Sequence, residues 1–303
     1  MEAYQAALTN QDLLTSRLKA PPGSIRAAVL SYYQSGDFTA LADTTKRTYR
    51  RGLDRLVRDH GTKPLRQLQA HHIRVLMNEK AETPHAANFL LQMFHVVMRH
   101  AVEMGWRRDN PCADVRKIRV KSDGFHTWTE AEIEQFERRW ARGSRQRLAF
   151  DLLLHTGQRS ADVRQMTRAQ FSGDYIKVRQ QKTGEWLDIP VSSGLNQSLR
   201  LVPSDQFVLL MTSFGRPFTE KGFSNYVSKA ADTAGMPHCS AHGLRKASAR
   251  RLAEAGCSAS EIMSITGHRT LQEVTRYTAR ANQKMLATSA AAKLARDSVA
   301  NPD

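Results

Sequence analysis

Apolar positions recur at helical spacing along most of the chain, which predicts a succession of amphipathic helices. Ser24 can cap the first helix, and residues 43–45 (Asp-Thr-Thr) can cap a second helix that ends at Gly61. In the second helix the apolar side chains that should face a core are Tyr49, Leu53, Leu56 and Val57. Residues 84–106 are apolar around most of the helix surface. We therefore expect this segment to be the central helix of a small bundle.

Residues 111–127 separate this predicted bundle from the rest of the chain. They have no clear period and contain Pro, Gly and a basic cluster of Arg116, Lys117, Arg119 and Lys121. This composition predicts an interdomain linker that touches a nucleic-acid backbone, although a solvated connection without a partner would have the same composition. We therefore expect an N-terminal tail at 1–23, a helical domain at 24–110 and a second domain at 128–303, which ends in a C-terminal helix.

The second half begins with Thr129 as a predicted N-cap, and Glu132 completes a capping box. Residues 145–157 are strongly apolar and should form a buried helix. Between residues 174 and 192 the apolar residues alternate with a period of two, which predicts a β-hairpin with residues 181–184 at its tip. The remainder is mainly helical in pattern. The predicted fold class is therefore mainly α with a small antiparallel β-sheet (α+β).

The formal net charge of the 303-residue chain is +16, and it is unevenly spread. Residues 44–121 contain 17 Lys and Arg against 7 Asp and Glu, which indicates a polyanionic partner, with nucleic acid as the first candidate. Three cysteines, none in a CxxC motif, indicate a reducing environment without a disulfide framework. The sequence contains no apolar run of about 18 residues, so we expect no membrane span. The polar, acid-containing start does not resemble a secretory signal.

Residues suited to a phosphate under attack are spread through the second half of the chain. In chain order they are Arg159 after a Thr-Gly-Gln turn, Lys182 at the hairpin tip, His242 and Arg245 in a His-Gly-Leu-Arg motif, His268 after a glycine, and Tyr277 nine residues later. An arginine fork binds two phosphate oxygens at once. A phenol can hold a phosphate covalently, provided that nearby cations and a base offset its ordinary pKa of about 10.

The order and local contexts of these residues resemble the tyrosine recombinase (phage integrase) family over roughly residues 24–280. The resemblance implies a helical core DNA-binding domain followed by a mostly helical catalytic domain with a small sheet. It also implies that Tyr277 attacks one DNA strand, forms a 3′-phosphotyrosyl bond and releases a 5′-hydroxyl.

The same resemblance implies a role for each remaining residue of the set. Four of them would hold the scissile phosphate: Arg159, Arg245, His242 and His268. Lys182 would protonate the leaving 5′ oxygen, with Lys177 as the competing lysine in mid-strand. Asp162 would orient an arginine. Lys246 stands where many family members carry a histidine, and no role is assigned to it.

The chemistry so implied needs neither ATP nor another cofactor, because the covalent link conserves the phosphodiester energy. No metal is implied, since phosphoryl-transfer metal sites favour clustered carboxylates. A His238-Cys239-x-x-His242 sequence could bind zinc, but it lacks a matched second pair at the usual spacing.

The partners implied are double-stranded DNA and three further copies of the chain, because two duplexes present four strands at a crossover. The basic residues expected to touch DNA are Lys46, Arg47, Arg50, Arg51, Arg116, Lys117, Arg119 and Lys121. We expect no membrane association and a cytoplasmic, nucleoid-associated location. The alanine-rich segment 279–298 would pack on a neighbouring protomer, or else on its own domain.

Other functions remain open at this point. Within recombinases, integration or excision of a mobile element competes with resolution of chromosome or plasmid dimers. Residues 1–23 are too short for the arm-binding domain of many phage integrases, so we expect a simple recombinase. A type IB topoisomerase would share the chemistry, and a non-catalytic DNA-binding regulator would share the fold.

Overall fold

The computed structural model describes residues 20–120, 124–278 and 287–292 of a chain that divides into two compact units, residues 1–122 and 123–303. The division falls within the segment that the sequence predicts to be a linker. Within the described ranges each unit has an apolar core of its own. Lys121, one of the predicted DNA contacts, lies outside the described residues.

All regular elements among the described residues of the first unit are helices. Its α-helices are α1 (Ile25–Gln34), α2 (Gly36–Thr39), α3 (Asp43–His60), α4 (Ala70–Asn78) and α5 (Pro84–Glu103), with a short 3-10 turn at Leu65–Gln67. Ser24 caps α1 as predicted, since its side chain accepts from the Ala27 amide. The α5 helix carries nine of the buried residues of its unit, which fits its predicted position at the centre of the bundle.

The predicted cap of α3 was wrong. Asp43 already lies in the first helical turn, and the N-cap is Ala42, whose extended backbone offers no side-chain hydrogen bond. The Asp43 carboxylate lies 3.8 Å from Lys46 Nζ instead. An acid in the first turn still stabilises the helix through the helix dipole, so the helix begins without a capping side chain. The predicted C-cap at Gly61 is confirmed.

The first part of the predicted linker packs on the first unit. Cys112 and Val115 are buried in its core, and Ile118 packs against it. Asn88 holds this segment through two hydrogen bonds: its side chain donates to Ile118 O and accepts from Ile118 N, both at 2.8 Å. Residues 112–118 are therefore fixed on the α5 helix by apolar contacts and hydrogen bonds.

The second unit combines helices with one small sheet. Its elements are α6 (Glu130–Arg139), α7 (Arg145–Thr156), α8 (Ser160–Val163), β1 (Phe171–Ser172), β2 (Tyr175–Arg179), β3 (Trp186–Pro190), α9 (Ser193–Leu199), α10 (Glu220–Thr233), α11 (Ala241–Glu254), α12 (Ala259–Thr266) and α13 (Leu271–Thr278). The Thr129–Glu132 capping box of α6 forms as predicted. Residues 287–292 are also helical.

The sheet is antiparallel in the order β1-β2-β3. The β2–β3 hairpin was predicted, and Ile176 pairs with Ile189 on its buried face. The two-residue β1 strand was not predicted, because an alternation of two positions is too short to recognise. The fold class predicted from the sequence, mainly α with a small antiparallel sheet, is confirmed.

Aromatic side chains form the centre of the second core. Phe136 of α6 and Phe150 of α7 stack with centroids 4.5 Å apart, and Trp128 meets both rings at 5.5 and 5.6 Å. Trp128 Nε1 also donates to Ser240 O at 2.9 Å, immediately before α11. The core thus fixes the start of α11, the helix that carries two of the candidate site residues.

Within the described ranges, no helix combines the length and the apolar composition needed to cross a membrane.

Candidate active site

Two helix ends approach each other beneath the candidate site, and each ends in a left-handed glycine. Gly157 ends α7 with φ 62°, and Gly267 ends α12 with φ 69°. A Cβ on Gly157 would lie 2.9 Å from Ser248 Oγ of α11, so glycine also permits the close approach of these elements. The carbonyl groups at such helix ends carry partial negative charge and can hold a cation between them.

Arg245 occupies that position. Its side chain is 2% exposed, and Nη1 donates to Gly157 O at 2.7 Å and to Thr266 O at 2.9 Å. One edge of the guanidinium is therefore anchored on the ends of α7 and α12. Such anchoring fixes the orientation of the planar fork before any ligand arrives.

Arg159 follows the turn after α7 and is the N-cap residue of α8. Its Nη1 donates to Gln180 Oε1 at 2.8 Å. Gln180 lies one residue beyond β2, so the second guanidinium is positioned by the hairpin rather than by a helix end. The side chain is only partly buried, and it can reach a ligand from the surface of the unit.

The position of Arg159 depends on Gln180, which the sequence reasoning missed. Gln180 is fully buried: its Oε1 accepts from Arg159 and from Thr183 Oγ1, and its Nε2 donates to Gln158 Oε1 at 2.7 Å and to Thr266 O at 2.9 Å. The available signal was a polar residue that continues the inward-facing alternation of Ile176 and Val178 one residue past the end of β2. A buried amide with all its bonds made is typical of a positioning residue.

Gly267 makes room for this amide. A Cβ there would lie 2.3 Å from Gln180 Nε2, and the positive φ also disfavours any other residue. The glycine before His268 is therefore required by both the helix end and the packing of the hairpin against it.

His268 directly follows Gly267 at the C-terminal end of α12. Its Nδ1 lies 2.6 Å from Thr266 Oγ1, which donates its own proton to Ile262 O at 2.6 Å. Because the hydroxyl proton is used in that bond, Nδ1 must carry the imidazole proton, and Nε2 is the basic nitrogen of the neutral ring. Burial, followed by the charges of Arg245, Arg159 and His242, lowers the pKa of His268 to about 3.

His242 lies one turn before Arg245 on α11, as the i, i+3 spacing predicts. Burial, followed by the charges of Arg245, Lys246 and Arg159, lowers the pKa of His242 below its ordinary value. The charges of Arg245 and Arg159 therefore lower the pKa of both histidines. These four residues come from distant parts of the sequence and share one electropositive site. Lys246, assigned no role from the sequence, donates through Nζ to Phe125 O at 2.5 Å.

Asp162 is buried in α8, and its Oδ1 accepts from the Gln181 backbone amide at 2.9 Å. Burial raises the pKa of Asp162, while the Gln181 hydrogen bond and the charges of Arg159 and Arg245 oppose that rise. The carboxylate thus holds the base of the hairpin tip, and it acts on the arginines through charge.

The hairpin tip itself presents Lys182, whose side chain is exposed. Arg269 braces the tip, because its Nη2 donates to Thr183 O at 2.5 Å and to Glu185 Oε1 at 3.0 Å. The competing lysine, Lys177, lies in the middle of β2 and is also exposed.

Tyr277 lies in α13, and its side chain falls outside the described residues. The helix packs through buried Val274 in a small apolar cluster with Ala249 and Ala253 of α11. The backbone that carries Tyr277 is thereby attached to the helix that carries His242 and Arg245.

The predicted DNA contacts of the first unit differ in their exposure. Arg47, Arg51, Arg116, Lys117 and Arg119 are exposed, while Lys46 and Arg50 are partly buried. The Arg50 guanidinium lies 5.3 Å from the Tyr33 ring centroid and 5.4 Å from that of Phe38. Arg50 therefore also contributes to packing through cation–π contacts.

Sequence comparison places both units in one group of proteins. Residues 128–284 match the phage integrase family, and residues 26–118 match the phage integrase central domain.

The chain belongs to the phage integrase family.

Two curated relatives agree with this membership. The shufflon-specific DNA recombinase of Escherichia coli is 28% identical over 192 residues, which are 58% of this chain and 46% of that protein. The integrase of Escherichia phage HK022 is 27% identical over 214 residues, which are 62% of this chain and 57% of that protein. This integrase-family chain thus spans about half the length of the curated relatives it matches.

Solved structures of lambda integrase share the fold. A dimer bound to a COC′ core site has a TM-score of 0.75 at 20% identity, covering 84% of this chain and 95% of that one. A tetramer bound to a Holliday junction has a TM-score of 0.74 at 19% identity, covering 91% and 85%.

Proposed function

We propose that this integrase-family chain is a site-specific DNA recombinase, which cuts and rejoins double-stranded DNA through a 3′-phosphotyrosyl intermediate. The observation that carries the proposal is the electropositive site in which Arg159, Arg245, His242 and His268 converge. Two guanidinium groups, each held by hydrogen bonds to the protein, lie beside two uncharged imidazoles, and together they suit the anionic oxygens of a phosphodiester.

In the proposed reaction the Tyr277 oxygen attacks the scissile phosphorus, and the bond between phosphorus and the 5′ oxygen breaks. The Lys182 ammonium gives a proton to the departing 5′ oxygen. His268 would present the unprotonated Nε2 of its neutral ring toward the phenol, and it gains the strength of a base when the negative charge of bound DNA phosphate raises its pKa from about 3. The arginines and His242 stabilise the charge that develops on the non-bridging oxygens. A 5′-hydroxyl from another strand then reverses the step and rejoins the DNA.

The proposed partners are a DNA duplex and further copies of this chain. The lambda integrase tetramer on a Holliday junction supports a tetramer, because a crossover of two duplexes has four strands to exchange. The exposed basic residues of the first unit would contact phosphates there. We propose a location in the cytoplasm at the nucleoid because the proposed substrate is DNA. The phage integrase and the shufflon-specific recombinase among the relatives support a mobile element as its source.

A covalent trapping experiment tests this function. Duplexes bound by the protein are first selected from a random library, and the selected sites are then prepared with a nick that lets the cleaved end diffuse away. We expect wild type to remain attached to DNA in a denaturing gel, and Tyr277→Phe to release it. Arg159→Lys keeps the charge but loses the fork, so we expect about 100-fold less adduct.

The same sites distinguish recombination from topoisomerase activity. A plasmid with two copies of the selected site should yield deletion or inversion products, whereas a topoisomerase would relax supercoils without joining new partners. Failure of wild type to form any adduct on its selected sites would leave only the non-catalytic DNA-binding function.

A further inference from the structure

A second cluster of reactive side chains lies beside the start of α11 and has no part in the proposed reaction. Its members are His126, Glu132, His238 and Cys239, whose donor atoms all lie within 4.8 Å of one another. His126 Nε2 is 2.8 Å from Glu132 Oε2, and His238 Nε2 is 2.6 Å from Glu132 Oε1. The two imidazole rings meet edge to face with centroids 4.7 Å apart. Two imidazoles, a carboxylate and a thiol thus converge on one small volume.

This donor set is the one that zinc prefers. Zinc takes imidazole nitrogen, thiolate sulfur and carboxylate oxygen in tetrahedral geometry, with bonds of about 2.0–2.3 Å, which places the donor atoms roughly 3.3–3.6 Å apart. Around an ion, the donors that are up to 4.8 Å apart need to close by about 1.2–1.5 Å, and the imidazole nitrogens at 2.6–2.9 Å from the Glu132 oxygens need to move apart by about 0.5 Å. The side chain of His238 is 53% exposed and can rotate, so the closure requires little movement of the backbone.

The role of Glu132 in capping α6 is compatible with metal binding. Its Oε2 accepts from the Thr129 amide at 2.7 Å, which completes the capping box. Its Oε1 faces both imidazoles, at 2.9 Å from His126 Nε2 and 2.6 Å from His238 Nε2. One carboxylate oxygen can thus hold the cap while the other binds an ion. The buried Cys239 thiol hydrogen-bonds this carboxylate, so its sulfur already lies beside the oxygen that would bind the ion.

We propose that His126, Glu132, His238 and Cys239 form a tetrahedral zinc site. The His238-Cys239 pair lacks a second ligand pair nearby in sequence, and the fold supplies one from more than 100 residues earlier in the chain. Coordination would release the thiol proton of Cys239 to solvent, because a thiolate is the ligand form.

The site would clamp the first residues of the second unit onto α11. Ser240, directly after Cys239, caps α11 through Gly243 N, and Phe125, directly before His126, lies 4.9 Å from the ring of His242. A Cβ on Gly243 would lie 2.3 Å from His126 O, so the two segments are already in close contact. A zinc ion would therefore stabilise the backbone next to His242, whatever reaction the chain performs.

Cobalt spectroscopy on the full chain tests the proposal, because Co²⁺ replaces zinc in tetrahedral sites and is coloured. Protein stripped with a chelator is titrated with Co²⁺. We expect one ion per chain, visible bands of tetrahedral Co²⁺, and a thiolate-to-cobalt charge-transfer band in the near ultraviolet, all abolished by added Zn²⁺. Cys239→Ser should lose the charge-transfer band, and His238→Ala should bind more weakly. Cys257→Ser, a change of a cysteine outside the cluster, should match wild type.

Folding does not limit this test, because His238 is exposed and circular dichroism of the stripped variants reports their helix content. Zn²⁺ should also raise the thermal midpoint of wild type and of Cys257→Ser, but not that of Cys239→Ser. Lack of Co²⁺ uptake by wild type overturns the proposal. So does uptake without a charge-transfer band, or uptake that survives unchanged in both Cys239→Ser and His238→Ala.

Discussion

Replacing Gln180 with methionine should destabilise the second unit and separate Arg159 from its support. Methionine has a similar volume but makes none of the four hydrogen bonds of the buried amide. Thr266 O keeps its bond from Arg245, and Thr183 is only partly buried. The main losses are the bond to the Arg159 guanidinium, worth about 1.5–3 kcal/mol, and the orphaned Gln158 Oε1, which costs about 1–3 kcal/mol. We therefore expect the free energy of unfolding to fall by about 4 kcal/mol.

Denaturant unfolding and single-turnover cleavage of a nicked suicide site measure the two effects separately. A displaced Arg159 should slow cleavage by about 100-fold, because misplacement of a catalytic group by about 1 Å has that effect. Gln135→Met is the matched control, since Gln135 of α6 makes one bond, to Ala234 O, and none to a candidate site residue. It should cost about 1 kcal/mol and leave cleavage unchanged. A Gln180→Met variant with wild-type stability and wild-type cleavage would refute the positioning role.

Three further predictions concern backbone strain, acid stability and salt. Gly267→Ala should destabilise by about 2–4 kcal/mol in denaturant unfolding, because its Cβ meets Gln180 and φ is positive, whereas Gly256→Ala has positive φ but open space and should cost about 1 kcal/mol. In the folded protein His268 stays neutral down to pH about 3, whereas in the unfolded chain it becomes protonated below pH about 6.5. The free energy of unfolding should therefore fall as the pH drops from about 6.5 to about 3, by at most about 5 kcal/mol. His268→Gln should flatten that part of the curve of stability against pH. DNA affinity should fall steeply with salt concentration in a binding titration. Neutralising the exposed basic residues of 116–119 should reduce the slope of log affinity against log salt by about one for each phosphate that the protein no longer neutralises. Equal slopes for wild type and variant would show that this segment does not contact DNA.

The local features of the fold were predictable because they depend on neighbouring residues. The capping box at Thr129, the cap of α1 at Ser24 and the alternation that forms β2 all follow from short-range backbone chemistry. The cap at residues 43–45 failed for the same reason. Several polar residues in a row offer competing caps, and local preference does not decide which residue begins the helix.

The hydrogen bonds that position the candidate site residues were not predictable, because they join segments that are distant in the sequence. Nothing in the sequence around Arg245 indicates that its fork rests on carbonyls of Gly157 and Thr266, 88 and 21 residues away. The same holds for the ligand cluster, in which Glu132 and His238 meet across 106 residues. Two traces were visible in the sequence: Gln180, a polar residue that continues the buried alternation of β2, and the adjacent His238 and Cys239. In both cases the partners still required the fold.

The central claim is that one phenol becomes linked to DNA within the electropositive site of the second unit. Peptide mapping of the trapped adduct by mass spectrometry tests this claim most directly, because it identifies the amino acid that carries the nucleotide. The account predicts a 3′-phosphonucleotide on the peptide that contains Tyr277, and no adduct in Tyr277→Phe. An adduct on any other residue, or wild-type protein that binds its selected sites and never becomes linked to them, would contradict it.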